Sequence, residues 1–450
     1  MSQDQPTQAD FFGHPIGLRT LFLTEMWERM SFYGMRALLV LYMTGAVSQL
    51  EGGLGFSQID AQAIYGIYVG MVYFMVVPGG WLADNLLGHQ RAVLWGGIVI
   101  AMGHFTLALP LQETFFLGLA LVVLGTGLLK GNISTIVGEL YSGRDEQRDS
   151  GFTLFYMSIN IGSFLGFLIC GYLGEKIGWH WGFGAAGIGM LIGLAIYLAG
   201  QKYLPKEHFD VPGKAAAKTD KKPREPMTRQ DWLATSALIL LIPVLALAIV
   251  PNNQIFNAYL VWGDQQFALY WGGEKLPTSW LVSLDAIVSV SFLAIVAGFY
   301  RWWKTKWTEP DELTKIIIGS LFSIGGMACL YLAAATTPPG EKIGLFWPVM
   351  FHIVNAIGFA HMLPVSLALF ARLAPKQINA TVIGLYYLSF FAGNSIVGYV
   401  GGWFETMPIT QFWLMHMGFA ATAGAVFLLF KLLLASRLMR DSEPENVALS

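Results

Sequence analysis

The stretch Thr24-Glu25-Met26-Trp27-Glu28-Arg29-Met30-Ser31-Phe32-Tyr33-Gly34-Met35-Arg36 places four charged side chains inside an otherwise apolar segment near the N-terminus. A charge near the centre of a bilayer costs about 2.5–3.5 kcal/mol on insertion scales, so it is rarely found there unless it faces a polar cavity. At 3.6 residues per turn, the polar side chains of this stretch fall within an arc of about 140°. They are Glu25, Glu28, Arg29, Tyr33 and Arg36. We therefore expect this face to look into a helix bundle that contains a water-filled or substrate-filled pathway.

The composition of the whole chain is that of a membrane protein. Of its 450 residues, 55% are hydrophobic and only 12% are charged, and the mean hydropathy is +0.54. These values exclude an ordinary soluble protein. The two cysteines, Cys170 and Cys329, lie in separate apolar segments and predict no disulfide framework. The polar N-terminal segment has no short apolar core followed by a cleavage site, so we expect no cleaved signal peptide.

Runs of about 20 apolar residues predict membrane-spanning helices. We identify twelve, at residues 18–46, 58–83, 90–110, 114–141, 149–173, 179–203, 232–270, 277–303, 313–336, 343–372, 378–403 and 410–438. The seventh contains Pro251-Asn252-Asn253-Gln254 and could be two helices. We favour one interrupted helix, because an even number of spans keeps both termini on one side. Interrupted helices are tolerated where neighbouring helices or cavity water satisfy the freed backbone groups.

The basic residues predict the orientation and the division into halves. Loops on the side of the termini carry 21 of the 27 Lys and Arg residues, which places both termini in the cytoplasm. A polar linker separates two groups of six spans. Its basic cluster near Lys218 either contacts anionic lipid or keeps the loop soluble. The predicted parts are a cytoplasmic segment (1–17), an N-terminal bundle (18–203), the linker (204–231), a C-terminal bundle (232–438) and a cytoplasmic tail (439–450).

The loop between the second and third spans carries a motif. The segment Gly80-Trp81-Leu82-Ala83-Asp84-Asn85-Leu86-Leu87-Gly88-His89-Gln90-Arg91 resembles the G-x-L-A-D…G-x-x-R motif of the major facilitator superfamily. Together with the two groups of six spans, it indicates an all-α membrane protein with the major facilitator fold. We expect Gly80 to allow a close helix approach, and Asp84 to cap a helix and pair with a cation, stabilising one gate state together with Arg91. The alternative is an ordinary cytoplasmic turn.

Three further stretches resemble motifs of the proton-dependent oligopeptide transporter family, abbreviated POT or PTR. The segment from Glu25 to Arg36 is similar to its E-x-x-E-R-F-x-Y-Y-G signature. The others are Leu129-Lys130-Gly131-Asn132 with its continuation to Tyr141, and Phe155-Tyr156-Met157-Ser158-Ile159-Asn160-Ile161-Gly162, which is similar to F-Y-x-x-I-N-x-G. The resemblance is weaker in the C-terminal half. It implies a central cavity that binds di- and tripeptides, whose uptake is driven by protons.

The resemblance also implies roles for individual residues. Glu25, Glu28 and Arg29 would take part in proton coupling. Arg36 and Lys130 would face the peptide carboxylate, Asn160 would hydrogen-bond the peptide backbone or amino end, and Tyr33 and Tyr73 would line the pocket. This arrangement suits a zwitterionic peptide, which needs cations near its carboxylate and hydrogen-bond acceptors near its ammonium. Aromatic walls between them tolerate different side chains. The alternatives are a static buried ion-pair network on the first span and a packing role for Tyr73.

The sequence also departs from the family pattern. In Gly358-Phe359-Ala360-His361-Met362-Leu363-Pro364, Phe359 stands where relatives usually carry glutamate. We hypothesise that Asp285, in the eighth span, supplies the lost carboxylate; the alternative is a polar residue near the outer surface. His361 could titrate instead, although a packed, hydrogen-bonded histidine is the commoner case. Phe32 replaces a tyrosine of the signature. The two extra helices that many bacterial relatives carry between their halves are missing, which leaves the cavity unchanged.

The remaining expectations concern partners and location. We expect no catalytic residues, metal, cofactor or nucleic-acid partner, because no nucleotide loop, zinc-type His pair or nucleophile constellation is present. The partners are peptides, protons and membrane lipid, and the chain would function as a monomer in a bacterial inner membrane. The alternative functions are transport of another small anion or peptide-like compound, and sensing of peptides without transport.

Overall fold

The computed structural model describes residues 9–45, 52–142, 145–205, 226–375 and 378–435, and these residues are mainly helical. Most of the predicted linker and the whole predicted tail lie outside these ranges. The helices are α1 (Ile16–Thr44), α2 (Gln58–Phe74), α3 (Val76–Leu82), α4 (His89–Leu107), α5 (Gln112–Leu140), α6 (Asp145–Tyr172), α7 (Trp179–Gly200), α8 (Arg229–Asn253), α9 (Ala258–Gln266), α10 (Trp280–Lys304), α11 (Glu312–Thr336), α12 (Phe346–Leu373), α13 (Asn379–Gly401) and α14 (Ile409–Phe430).

Short elements extend or connect these helices. Turns of π-helix follow α3 at Ala83–Leu87, α6 at Leu173–Ile177 and α14 at Lys431–Ala435. Two small antiparallel hairpins are present, β1 (Ala9–Phe11) with β2 (His14–Pro15), and β3 (Tyr270–Trp271) with β4 (Glu274–Lys275). The second hairpin turns at Gly272 and Gly273, whose φ angles of +59° and +89° favour glycine.

Within the described residues, nine helical segments are long and apolar enough to cross a membrane. Three further helices, α1, α4 and α13, have 29, 19 and 23 residues and fall outside that set. At 1.5 Å per residue even the shortest of them measures about 28 Å, close to the thickness of the hydrocarbon core. The expectation of a mostly helical membrane protein is confirmed. The number of twelve spans and the side of the termini stay predictions.

The seventh predicted span is one helical segment with an interruption, Arg229–Gln266. The helix continues through Pro251, and the break comes later, at a 3-10 turn (Gln254–Phe256) followed by Asn257. Both amide side chains donate to the carbonyl oxygen of Val397, Gln254 Nε2 at 3.2 Å and Asn257 Nδ2 at 3.4 Å. The other end of the Gln254 amide accepts the backbone N–H of Ala258 at 3.4 Å. Side chains therefore satisfy part of the backbone that the break frees.

The chain forms two compact units. The first contains the described residues up to 205 together with 260–265 and 269–287. The second contains 226–259, 266–268 and 288–435. The first unit thus includes the hairpin β3–β4 and the first turns of α10. The bounds that we predicted for the two bundles stay predictions.

Glycines bring the helices of the first unit into close contact. A Cβ on Gly162 of α6 would lie 2.9 Å from the Cβ of Arg29, and one on Gly166 would lie 2.8 Å from the backbone nitrogen of Gly34 in α1. Real side chains avoid such distances, so only glycine allows α1 and α6 to approach this closely. Gly162 is the glycine of the F-Y-x-x-I-N-x-G stretch. Its packing role places the charged face of α1 against α6.

The second unit contains a similar approach between α11 and α12. A Cβ on Gly319 would lie 2.9 Å from the carbonyl oxygen of Gly358, and the reciprocal distance is also 2.9 Å. Buried apolar side chains from α8, α11, α12, α13 and α14 form a core cluster in this unit; they include Leu241, Ile316, Leu369 and Phe427. The close approach fixes the register of α12, which carries Phe359 and His361.

Candidate functional site

The guanidinium of Arg29 pairs with two buried carboxylates on the same helix, α1. Arg29 Nε donates a hydrogen bond to Glu25 Oε1 at 2.6 Å and lies 2.9 Å from Glu28 Oε2. All three side chains are at most 3% exposed. Glu25 Oε2 and Glu28 Oε1 have no hydrogen-bond partner among the described residues. Two buried carboxylates thus lie beside one guanidinium, and the ammonium of Lys130 is the other cation that interacts electrostatically with both of them.

Arg36 lies two turns further along α1 and contacts a tyrosine of α2. Its Nε donates to the hydroxyl of Tyr65 at 2.6 Å, and its Cζ lies 5.5 Å from the centroid of the same ring. Both side chains are buried. The sequence analysis missed Tyr65. Its signal was present, because Tyr65, Tyr68 and Tyr73 fall on one face of a helix, within about 140°.

Lys130 of α5 lies over the ring of Tyr73. Its Nζ is 4.2 Å from the ring centroid, a cation–π contact. Lys130 makes no ion pair within the described part of the chain, so its ammonium keeps N–H groups for a ligand. The neighbouring Tyr68 is buried, and its hydroxyl has no hydrogen-bond partner in the ranges described. Tyr73 is therefore the tyrosine of α2 that contacts the predicted lysine.

Tyr33 and Asn160 lie on α1 and α6 and are both half-buried. The ring of Tyr33 packs edge-on against Phe32 and Phe167, with centroids 5.3 and 5.7 Å away. Phe32, which replaces a tyrosine of the signature, lies with its ring centroid 5.8 Å from Arg29 Cζ. The Nδ2 of Asn160 donates to its own helix, at the carbonyl of Tyr156, over 3.2 Å.

Three residues concern the glutamate that is missing from the tenth predicted span, which is helix α12. They lie on α10 and α12. Asp285 is half-buried in the second turn of α10, and Phe359 is half-buried on α12. His361 Nδ1 donates to the carbonyl of Ile357 at 2.8 Å, and its Nε2 lies 3.0 Å from the hydroxyl of Tyr300. A neutral ring with the proton on Nδ1 satisfies both contacts, because Tyr300 can then donate to Nε2. The geometry is that of a packed, hydrogen-bonded histidine.

Two further histidines of the apolar spans, His352 and His104, differ from each other. His352 Nε2 lies 2.9 Å from the hydroxyl of Tyr259, so it too is hydrogen-bonded. His104 is fully buried, and neither ring nitrogen has a partner among the described residues. A packed, hydrogen-bonded histidine, the commoner case, is therefore found at His352 and not at His104.

The segment from Gly80 to Arg91 differs in geometry from the expectation. A Cβ on Gly80 would meet no atom within 4 Å, whereas one on Gly79 would clash with the carbonyl of Gly127 in α5. The glycine that allows close approach is Gly79, and the expectation for Gly80 is wrong. Asp84 caps no helix. Its Oδ1 lies 3.6 Å from Nε2 of His89, which is an ion pair only when His89 is protonated. Arg91 is exposed.

Comparison with known proteins identifies the family. Residues 90–223 match the model of the POT family. The chain is 32% identical to the peptide transporter YePEPT of Yersinia enterocolitica, over 99% of both chains. It belongs to the POT family. It is also 29% identical to a di-/tripeptide transporter of Lactococcus lactis, over 94% of this chain and 97% of that one.

A solved structure supports the assignment of this chain to the POT family. The crystal structure of a peptide transporter POT in complex with sulfate is 32% identical, has a TM-score of 0.86 and covers 96% of this chain and 97% of that one. These relatives are transporters and not enzymes. The chain is a multi-pass membrane protein, and the predicted bacterial inner membrane agrees with the bacterial origin of its relatives. Within the described residues, no group of three or more His, Cys, Asp or Glu side chains could hold a metal ion.

Proposed function

We propose that this POT chain is a proton-coupled symporter that imports di- and tripeptides by alternating access around a central cavity. The observation that carries the proposal is the buried cluster of α1, in which Glu25 and Glu28 share Arg29. A buried carboxylate without a full complement of hydrogen bonds is costly, and a functional proton offsets that cost. The proposal includes twelve membrane-spanning helices, two cytoplasmic termini and function as a monomer.

The peptide carboxylate would meet the cations of the first unit. Lys130 makes no ion pair among the described residues, and its ammonium lies on the face of Tyr73. Arg36 is oriented by Tyr65 through a charge-assisted hydrogen bond of 2.6 Å. An arginine fixed in this way presents its remaining N–H groups in one geometry, at a low entropic cost on binding. Asn160 and Tyr33 would contact the peptide backbone and side chains.

The amino end of the peptide would need a carboxylate or another acceptor. Phe359 removes the glutamate that relatives carry at this position of the tenth span, and Asp285 is the acidic residue that we assign in its place. It lies half-buried on α10, within reach of solvent. Peptide binding would then depend on Asp285 in this chain. Asp84 and Arg91 would belong to the cytoplasmic gate segment.

Uptake of labelled dialanine into proteoliposomes tests the function. We expect accumulation only with an inward proton gradient, and competition by an unlabelled tripeptide but not by a free amino acid. Exchange without accumulation would mean that the site binds peptide but does not couple it to protons. No uptake in either condition would contradict peptide transport.

A second candidate follows from Phe359. Loss of the carboxylate there leaves Arg36 and Lys130 as the predominant charges of the predicted substrate site, which favours a small anion or a peptide-like compound without an ammonium group. Such a cargo would not need Asp285. Uptake of dipeptide and of a test anion by the Asp285→Asn variant therefore separates the two candidates.

A further inference from the structure

A cavity of about 470 Å³ lies between α10, α11 and α12 in the second unit. Its volume is within the range of small-molecule sites. One part of its wall is apolar, from Leu293, Val296 and Ala297 of α10 and from Val365 of α12. Its rim is basic and contains Arg301, Lys304 and Lys315. None of these residues belongs to the peptide or proton sites proposed above.

The rim carries an excess of positive charge. Its three cations face a single carboxylate, Glu309, which pairs with Lys315 and lies 3.7 Å from Lys304. Arg301 has no carboxylate partner among the described residues. Two other cations of this unit each have a carboxylate of their own, since Arg372 pairs with Glu312 at 2.9 Å and Lys431 with Asp311 at 2.9 Å. The rim of the cavity therefore carries a net positive charge.

The floor of the cavity is a fixed polar network. Lys315 Nζ lies 4.4 Å from the ring centroid of Tyr300, whose hydroxyl is hydrogen-bonded to His361. His361 is held in turn by the carbonyl of Ile357 and stacks on Phe322 with centroids 6.1 Å apart. These contacts hold the ammonium of Lys315 at the inner edge of the rim. The basic groups are thus oriented before any ligand arrives.

The surroundings of the cavity are typical of a lipid interface. Trp302 and Trp307 are 48% and 51% exposed, and Phe299 is 42% exposed, all at the C-terminal end of α10 or just beyond it. Exposed tryptophans beside lysine and arginine mark the level of the lipid headgroups. The span of α10 is 22% buried, the lowest value of the nine candidate spans. Acyl chains can therefore reach its apolar wall.

We propose that this cavity binds the headgroup and first acyl carbons of an anionic phospholipid. The phosphate would lie among Arg301, Lys304 and Lys315, and an acyl chain would lie along Val296 and Ala297. Basic pockets between membrane helices at the cytoplasmic surface recognise anionic headgroups by this combination of charge and apolar wall. The loops near this end of α10 are those that the distribution of basic residues assigns to the cytoplasm.

Binding of phosphatidylglycerol to the purified full-length protein in detergent tests the proposal, measured by native mass spectrometry and by thermal unfolding. The test variant is Arg301→Gln with Lys304→Gln, both exposed and outside the apolar core. The matched control is Lys202→Gln with Arg229→Gln, which removes two exposed cations on the same predicted side. We expect the test variant to bind phosphatidylglycerol about tenfold more weakly than the control and to lose most of its thermal stabilisation. Phosphatidylcholine should bind the normal protein, the test variant and the control variant equally weakly.

Two further arms separate lipid from other ligands. Ala297→Trp fills the apolar wall and leaves every charge in place, so it should weaken binding of phosphatidylglycerol without changing the protein's charge. Inorganic phosphate at the same concentration should stabilise the protein much less than the lipid does. Equal lipid binding by the test and control variants would contradict the proposal. So would stabilisation by inorganic phosphate equal to that by phosphatidylglycerol, which would make the cavity a simple anion site.

Discussion

Arg36 Nε donates a hydrogen bond of 2.6 Å to the hydroxyl of Tyr65, and this contact joins α1 to α2 inside the first unit. Tyr65 contacts the buried Arg36 side chain twice, through this hydrogen bond and through its ring, whose centroid lies 5.5 Å from the guanidinium carbon. A neutral tyrosine hydroxyl orients the guanidinium without itself carrying a compensating charge. A cation held in this way suits a carboxylate ligand that must bind and leave again.

The first prediction is that Tyr65→Phe weakens dipeptide binding. The variant keeps the ring beside Arg36 and removes only the hydroxyl. A hydrogen bond to a charged group contributes about 1.5–3 kcal/mol, so we expect the KM for dialanine to rise about 10-fold or more. Uptake kinetics in proteoliposomes measure it. Tyr68→Phe is the matched control, because the Tyr68 hydroxyl has no hydrogen-bond partner among the described residues. Equal KM values for the two variants would show that Tyr65 does not orient Arg36.

The second prediction concerns proton coupling. Glu28→Gln removes one of the two carboxylates that share Arg29 and leaves the pairing of Glu25 with Arg29 intact. We expect gradient-driven accumulation of dialanine to fall by at least 10-fold while exchange of internal for external peptide continues. The two transport assays on one preparation measure this split. Glu113→Gln, an exposed carboxylate of α5, is the control and should accumulate peptide normally. Gradient-driven accumulation by Glu28→Gln at the normal level would exclude Glu28 from coupling.

The third prediction separates the ring of Tyr73 from its hydroxyl. Lys130 Nζ lies 4.2 Å from the ring centroid, and such a contact is worth about 0.5–2 kcal/mol. Tyr73→Phe keeps the ring and should raise the KM for dialanine less than a variant without the ring does. Tyr73→Leu removes it and should raise the KM about threefold to 10-fold, because the ammonium loses its fixed position. If the phenylalanine variant is as impaired as the leucine variant, the hydroxyl and not the ring makes the functional contact.

The fourth prediction tests the lost carboxylate. We expect Asp285→Asn to raise the KM for dialanine about 10-fold or more, since an ionic contact with the peptide ammonium would become a neutral one. An N-acetylated dipeptide has no ammonium, so its KM should be the same for the normal protein and for the variant. Unchanged dialanine affinity in Asp285→Asn would remove Asp285 from the peptide site and favour an anionic cargo.

The sequence predicts what lies along one helix better than what lies across two. Glu25 precedes Arg29 by four residues, so the 3.6-residue period places both on one face of a helix, and the structure contains that ion pair. The contact between Arg36 and Tyr65 joins two helices, and periodicity within one helix carries no information on their separation. Gly79 and Gly80 are 100° apart on a helix, so only the position of α5 decides which one packs against Gly127.

The position of the break in the seventh span shows the same limit. Pro251 suggested an interruption, but the helix passes through it and breaks between Gln254 and Asn257, whose side-chain amides donate to the carbonyl of Val397. Proline removes one backbone donor at its own position. Where a helix can stop depends on which polar groups of a neighbouring helix are available, and those come from α13.

The last prediction concerns stability at the start of α11. Asp311 is the N-cap: its Oδ1 accepts the backbone N–H of Thr314 at 2.7 Å, and its Oδ2 lies 2.9 Å from Lys431 Nζ. Burial would raise the pKa of Asp311, but the hydrogen bonds from Thr314 and the ammonium of Lys431 lower it below its ordinary value. A lowered pKa means that this stabilisation is present at neutral pH and is lost as the pH falls through the pKa of the folded state.

Two substitutions at Asp311 separate the contribution of the helix cap to stability from that of the charge. Asp311→Ala removes both and should lower the free energy of unfolding by about 1 kcal/mol or slightly more, the usual cost of a lost cap. Asp311→Asn keeps a good cap and loses only a partly exposed ion pair, so it should cost less. Thermal unfolding in detergent at pH 7 and near pH 3 measures both. The deficit of Asp311→Asn should shrink as the pH falls through the pKa of Asp311 in the folded state, where the normal protein also loses its charge; a constant deficit would mean that the ion pair with Lys431 adds nothing.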